Sequence, residues 1–297
     1  MLCLICKKNN FEKIYSLKTK NILHCKNDGL IVAEKTKEDN TYGKEYFSNE
    51  PNKFNQSYFL NKLTSIKRLI KVDKPKILDI GCGWGNFEEV LEAEKIPYLG
   101  IDINKEAIKI CRKKGLNCKL STIEELIKGS NDSGVVAPLR GTPPQNDVIL
   151  VSEGRARPES KNKFDCISLF QVIEHIQNPV SLLQSAKKLI KPKGVILITT
   201  PNNDSPLRKI MGAKWSVYSE PSHYIFFNKT TLEKTLELAG LTNISVKLDN
   251  MRFLSAKYIL SRLQQMFLPN NKYLITNNSF DIPIPTDPFG DLVATEN

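Results

Sequence analysis

In "ILDIGCGWGNFEEV" three glycines, Gly81, Gly83 and Gly85, alternate with other residues two positions after Asp79. A backbone without Cβ atoms can come close to a ligand, so this turn is suited to something lying against it. At the start of the chain Cys3 and Cys6 make a C-x2-C knuckle, and Cys25-Lys26-Asn27-Asp28 stands where a second knuckle would be expected. Cysteine and carboxylate ligands at that spacing suit a tetrahedral zinc site held by Cys3, Cys6, Cys25 and Asp28, with His24 as an alternative fourth ligand. The same residues also read as a relic ribbon without metal. The chain has three histidines, His24, His175 and His223, of which His175 follows Glu174 at the end of an apolar run. Imidazoles near a carboxylate suit proton transfer close to neutral pH.

The elements that must position these groups alternate between strand and helix. "YFLNKLTSIKRLIKV" carries Phe59, Leu63, Ile66 and Ile70 at helical spacing and leads into "KILDI", a strand. "NFEEVLEAEKI" is the helix after the glycines and "YLGIDI" the second strand. "NKEAIKICRKKGL" is a helix that Asn104 can cap. "FDCISLF", "PVSLLQSAKKLIK" and "GVILITT" repeat the step, as do "TTLEKTLELAGL" and "NISVKLDN". This predicts an α/β fold with a doubly wound, mostly parallel sheet. Residues 129–160 break the rhythm with Arg140, Arg155 and Arg157, four glycines and four prolines, the composition of an inserted loop or a lid.

A chain of 297 residues can bury one substantial core plus an accessory element. No apolar run reaches the ~20 residues of a membrane helix, and "MLCLICKKNN" lacks a long apolar stretch, so a cytoplasmic location is expected. The net charge of +11 comes from 35 Lys and 8 Arg spread along the whole chain without a basic block, so a nucleic-acid partner is not expected. Seven cysteines in such a chain read as reduced thiols.

The turn does not fit a dinucleotide. That fingerprint is G-x-G-x-x-G, and here Asn86 takes the sixth position from Gly81, which speaks against NAD or FAD. Instead D-x-G-x-G-x-G resembles motif I of class I S-adenosylmethionine-dependent methyltransferases. "FDCISLFQVIEHIQNPVSLLQSAKKLIKPKGVILITTPN" resembles the later region of the ubiquinone-type and polysaccharide-cluster members. The Cys-rich start is similar to that of sugar and cell-surface polysaccharide methyltransferases.

This resemblance implies a Rossmann-like sheet of seven strands, the last antiparallel, with a small N-terminal ribbon. It implies S-adenosylmethionine as cofactor, with Asp79 near its ammonium and sulfonium end. Gly81, Cys82, Gly83 and Gly85 would form the turn beneath it, and Asp102, with Ile103 beside it, would bind the ribose hydroxyls. Thr122 and Ile123 stand where the family contacts adenine, although the aspartate usual there is missing. Phe170 and Gln171 would line the pocket from the end of the fourth core strand. Glu174, His175 and His223 would serve catalysis, the histidines as general bases. Some relatives bind a divalent ion through E-x-x-E-H and a distant His; here Gln171, a poorer ligand than glutamate for a hard cation, holds the first position, and Glu174, His175 and His223 remain as its ligands in a metal-assisted variant.

The expected organisation is a ribbon over 1–45, a methyltransferase domain over 46–250 and a C-terminal helix with a terminal strand over 251–297. "MRFLSAKYILSRLQQMFLP" would form that helix, covering an acceptor pocket or lying on a membrane surface. The expected activity is methyl transfer to a small-molecule or glycan acceptor, either a sugar or a quinone-type phenol. The rival reading is a noncatalytic module that keeps the fold to bind nucleic acid or protein.

Overall fold

The computed structural model describes residues 1–36, 55–131 and 163–249, with three short strands beyond them. The chain opens with a three-stranded antiparallel meander: β1 (Phe11–Ser16), β2 (Lys20–Cys25) and β3 (Ile31–Lys35). Next comes α1 (Asn55–Ile70), which buries Leu63 and Ile66 of the stripe read from its periodicity. Then follow β4 (Ile77–Ile80), α2 (Asn86–Ala93), β5 (Tyr98–Asp102), α3 (Lys105–Lys113), β6 (Cys118–Leu120) and α4 (Ile123–Asn131). Asn104 caps α3 as its sequence implies, its side chain accepting from the backbone N–H groups of Glu106 and Ala107 at 2.8 and 3.2 Å.

The chain continues through β7 (Phe164–Phe170), α5 (Pro179–Leu189), β8 (Ile190–Pro201), α6 (Pro206–Met211) and α7 (Ser216–Ser219). It closes with β9 (Ile225–Phe226), α8 (Lys229–Leu238), β10 (Ser245–Leu248), β11 (Leu254–Ser255), β12 (Pro283–Ile284) and β13 (Asp291–Glu296). The main sheet has seven strands in the order β10-β13-β8-β7-β4-β5-β6. Strands β4 to β8 run parallel, and β13 lies antiparallel between β8 and β10. This is the doubly wound class expected, with the chain's final strand antiparallel. The order reverses at β4, which places a crevice at the carboxyl ends of β4 and β7.

The N-terminal meander shares a sheet with the rest of the chain. β3 pairs with β9, Ile31 opposite Phe226 and Val32 opposite Ile225, giving the order β1-β2-β3-β9. Cys3, Cys25, Leu30 and Val32 belong to the same buried cluster as Ile167, Leu169 and Phe227. Once formed, this junction removes apolar area of both parts from water. A second buried link joins α1 to the end of β10. Asp249 accepts from Tyr58 Oη at 2.9 Å and pairs with Lys62 Nζ at 2.6 Å, all three side chains buried.

The helix expected over 251–269 does not begin where its apolar stripe suggests. Leu254 and Ser255 are extended and pair with Ile284 and Pro283. The remainder of that stretch, and the insert from residue 132 to 160, lie outside the described residues.

Candidate functional site

β4 delivers the chain into the glycine turn, where Gly81, Gly83 and Gly85 have φ of 78°, 52° and 79°. What a Cβ would meet separates their roles. At Gly81 it would lie 2.5 Å from Val172 Cγ2, and at Gly85 2.5 Å from Leu116 Cδ1. At Gly83 it would meet nothing within 4 Å. Protein packing therefore demands two of the glycines, while the third leaves bare backbone facing open space. Asp102 at the end of β5 fixes this turn: its Oδ2 accepts from Gly83 N at 3.0 Å and its Oδ1 from Asn104 N at 2.7 Å. Burial raises its pKa, and those two backbone bonds oppose the rise. Each carboxylate oxygen keeps a lone pair for another donor.

Asp79 sits beneath the turn, 3 % exposed, and accepts from Ser168 Oγ at 2.5 Å. Burial raises its pKa to about 7, with the bonds from Ser168 and Glu88 pulling the other way. Cys82 is buried, whereas Ile103 is 75 % exposed next to Asp102. Thr122 and Ile123 open α4. Thr122 Oγ1 accepts from Glu125 N at 3.2 Å while Glu125 Oε2 accepts from Thr122 N at 2.9 Å, and Ile123 is buried in the core. This reciprocal cap is legible in the T-x-x-E of "TIEE".

The end of β7 forms the other wall. Phe170 meets Phe87 edge to face and Phe59 at a tilt, with ring centroids 5.1 and 5.5 Å apart. Gln171 adopts φ 58°, a left-handed backbone costly for a residue with a side chain, and is tied to β8 by Gln171 N donating to Thr199 O at 2.9 Å. That bend aims the following turn, Ile173–His175, across the carboxyl edge of the sheet, with Val172 packed on Gly81. Glu174 is buried and accepts from Thr200 Oγ1 at 2.9 Å. His223 arrives from the segment before β9, and its ring centroid lies 4.5 Å from that of His175. The ligating atoms of Glu174, His175 and His223 all lie within 4.8 Å of one another.

The two imidazoles are held neutral. Burial lowers the pKa of His175 to about 4, against the opposing bond to the Ser222 backbone. Burial, then the neighbouring His175, lowers that of His223. His223 Nδ1 lies 3.0 Å from Val217 O, so the proton of the neutral ring sits on Nδ1 and Nε2 is the acceptor. The meander supplies a group that the sequence reading missed. Lys20 of β2, 1 % exposed, donates to the backbone carbonyls of Glu220 and His223, fixing the segment that carries the histidine. A lysine opening a short strand reads as solvated, and only the β3–β9 pairing buries it.

At the far end of β2 the four residues of the knuckles come together. The ligating atoms of Cys3, Cys6, Cys25 and Asp28 lie within 4.8 Å of one another. Asp28 Oδ2 accepts from Cys3 Sγ at 3.0 Å and from Cys25 Sγ at 3.3 Å, and Cys6 Sγ is 3.6 Å from Cys25 Sγ. Burial would raise the Asp28 pKa, but bonds led by that from Cys3 bring it down to about 2. His24, the alternative ligand, points to the other side and pairs with Glu12 at 3.0 Å. Alternation along β2 puts it on the face opposite Cys25.

The fold is that of the S-adenosylmethionine-dependent methyltransferases. The chain belongs to the methyltransferase domain family, whose model matches residues 53–246. It is 28% identical over 199 residues to a ubiquinone biosynthesis O-methyltransferase of Actinobacillus pleuropneumoniae serotype 7, covering 66% of this chain and 74% of that one. It is 32% identical over 133 residues to the protein of the same name from Pasteurella multocida, covering 43% and 46%. The chain thus spans from about half to about three quarters of the length of these curated relatives. Among solved structures it is similar to a SAM dependent methyltransferase from Archaeoglobus fulgidus, with TM-score 0.49 and 21% identity over 82% of this chain and 96% of that one. Among the described residues no helix is long and apolar enough to cross a membrane.

Proposed function

We propose that this protein transfers a methyl group from S-adenosylmethionine to the hydroxyl of a small, quinone-type phenol. The observation that carries the reading is the bare face at Gly83 with Asp102 directly behind it, one wall away from the Glu174, His175 and His223 cluster. The names of the curated relatives support a phenolic acceptor.

Bound S-adenosylmethionine supplies an electrophilic methyl at its sulfonium. Gly83 would let that ligand approach the backbone, and Asp102, which holds the turn through Gly83 N, would accept from the ribose hydroxyls. Asp79, its pKa raised to about 7 by burial, would lie under the turn on the side of the ammonium and sulfonium, whose positive charge favours its ionised form. Cys82 and Ile103 line the turn and the end of β5. Thr122 borders the adenine, and Ile123 supports it from the core. Phe170 and Gln171 close the pocket from β7. The acceptor hydroxyl gives its proton to Nε2 of His223 or to His175, and Glu174 steadies the resulting imidazolium from within 4.8 Å. Alignment of acceptor oxygen and methyl does the rest, since positioning alone is worth several kcal/mol in such transfers. Cys3, Cys6, Cys25 and Asp28 would hold zinc, with three thiolates and a carboxylate as its four ligands. That ion would staple the end of β2 whose other end carries Lys20.

The test is calorimetric titration with S-adenosylhomocysteine, with NADH as control, on wild type and Asp102→Ala, followed by labelled-methyl transfer to a panel of phenols and glycans. The expected result is saturable binding of S-adenosylhomocysteine alone, weakened about 10²-fold or more by loss of two charge-assisted bonds, and transfer to phenols. Absence of binding, or binding of NADH, refutes the cofactor assignment. Transfer to a glycan alone refutes the acceptor.

A further inference from the structure

A second group of sulfurs lies behind the cofactor turn, apart from the ribbon. Cys82 stands between Gly81 and Gly83, Cys111 is on the last turn of α3, and Cys118 opens β6. Their three Sγ atoms lie within 4.8 Å of one another. All three are free thiols, Cys82 and Cys111 buried and Cys118 the least buried of them.

Two glycines make the convergence possible. Gly100 has ordinary strand backbone, so no left-handed φ explains it. A Cβ there would lie 2.7 Å from Glu88 Oε1, 2.8 Å from Cys118 Sγ and 3.0 Å from Cys82 Cβ. At Gly85 a Cβ would lie 3.0 Å from Cys111 Sγ. The side chains gathered at these missing methyls are the three cysteines, Leu116 and one carboxylate. Glu88 is 0 % exposed, and apart from the Asp79 carboxyl beside it neither of its oxygens meets a hydrogen-bond donor. A buried carboxyl so placed keeps its proton or takes a cation.

We propose that Cys82, Cys111 and Cys118 bind a thiophilic divalent cation of the zinc class, with Glu88 beside them as the oxygen ligand. Zinc–sulfur bonds of about 2.3 Å in tetrahedral geometry put sulfurs roughly 3.8 Å apart, which the observed span accommodates. Each ligating thiol gives its proton to solvent, so binding releases protons and favours higher pH. Three thiolates and the Glu88 carboxylate around a divalent ion leave two negative charges, and Lys114, at the end of α3 and paired with Glu89, is the cation on that side. The ion would tie together the turn, α3 and β6, three separate pieces of the half-sheet that shapes the ribose side. The site stands on its own geometry, whether or not the methyl-transfer reading holds.

The full chain, reduced and stripped of metal, is titrated with cadmium while the sulfur-to-cadmium charge-transfer band is followed. Wild type should take up two ions and Cys6→Ser, which disables the ribbon, one. Adding Cys111→Ser to Cys6→Ser should weaken the remaining ion by at least the roughly 10–100-fold that lesser changes around metal ligands cost, and Glu88→Gln should weaken it less. Because Cys111→Ser could disturb folding, alkylation of unaltered wild type is mapped by mass spectrometry with and without cadmium. Cys118 should react several-fold more slowly with the ion, while Cys166, outside the cluster, is unchanged. No ion in Cys6→Ser, or equal alkylation of Cys118 in both states, overturns the proposal. Titration of the same samples with S-adenosylhomocysteine tells that failure apart from loss of the cofactor site.

Discussion

Replacing Gly83 by alanine separates a ligand-facing glycine from glycines required by packing. The added Cβ enters open space, so folding bears only the left-handed backbone at φ 52°, about 1–2 kcal/mol. That corresponds to a fall in Tm of about 2–8 °C for a domain of this size. Gly85→Ala carries the same backbone cost and also drives a methyl to 2.5 Å from Leu116 Cδ1. Overpacking of this kind adds about 1–3 kcal/mol, so its Tm falls further. Cofactor binding should show the reverse order. If the ligand lies on the bare backbone of Gly83, the intruding methyl costs it a similar about 1–3 kcal/mol, which is roughly 5–150-fold in affinity for S-adenosylhomocysteine. Thermal melts and calorimetry on both variants measure the two quantities. If Gly83→Ala binds within about threefold of wild type, or melts below Gly85→Ala, the ligand does not lie there and the reasoning fails.

Two other outcomes follow from the histidine wall. Folding lowers the pKa of His175 from 6.5 to about 4, so the unfolded chain holds that proton more tightly and stability is lost as pH falls from 6.5 towards 4. The full interval is worth about 3 kcal/mol, so Tm between pH 7 and 5 should fall less steeply in His175→Gln than in wild type, and equal slopes would rule the effect out. Lys20→Met leaves the Glu220 and His223 carbonyls without their buried donor and should cost about 2–4 kcal/mol in denaturant unfolding. Unchanged stability would mean that the meander does not hold the His223 segment.

The succession of strands and helices through the main sheet was legible in the chain, and so were the candidate residues of the site. A period of 3.6 in α1 and apolar runs in β4, β7 and β8 are local properties of the chain, as is the Asn104 cap, so each is written where it acts. The glycine turn, Asp102, Glu174, His175 and His223 were all legible for the same reason, being short motifs whose residue types point to their chemistry. Only the tertiary structure decided which groups meet. The β3–β9 pairing buries Lys20 against a segment two hundred residues away. The same folding turns His24 away from the knuckles towards Glu12 and brings the Asp28 carboxylate up to their sulfurs. The convergence of Cys82, Cys111 and Cys118 depends on a missing Cβ on a neighbouring strand. Burial and sulfur-to-sulfur distance are properties of pairs of elements, and the spacing of residues along a chain does not encode them.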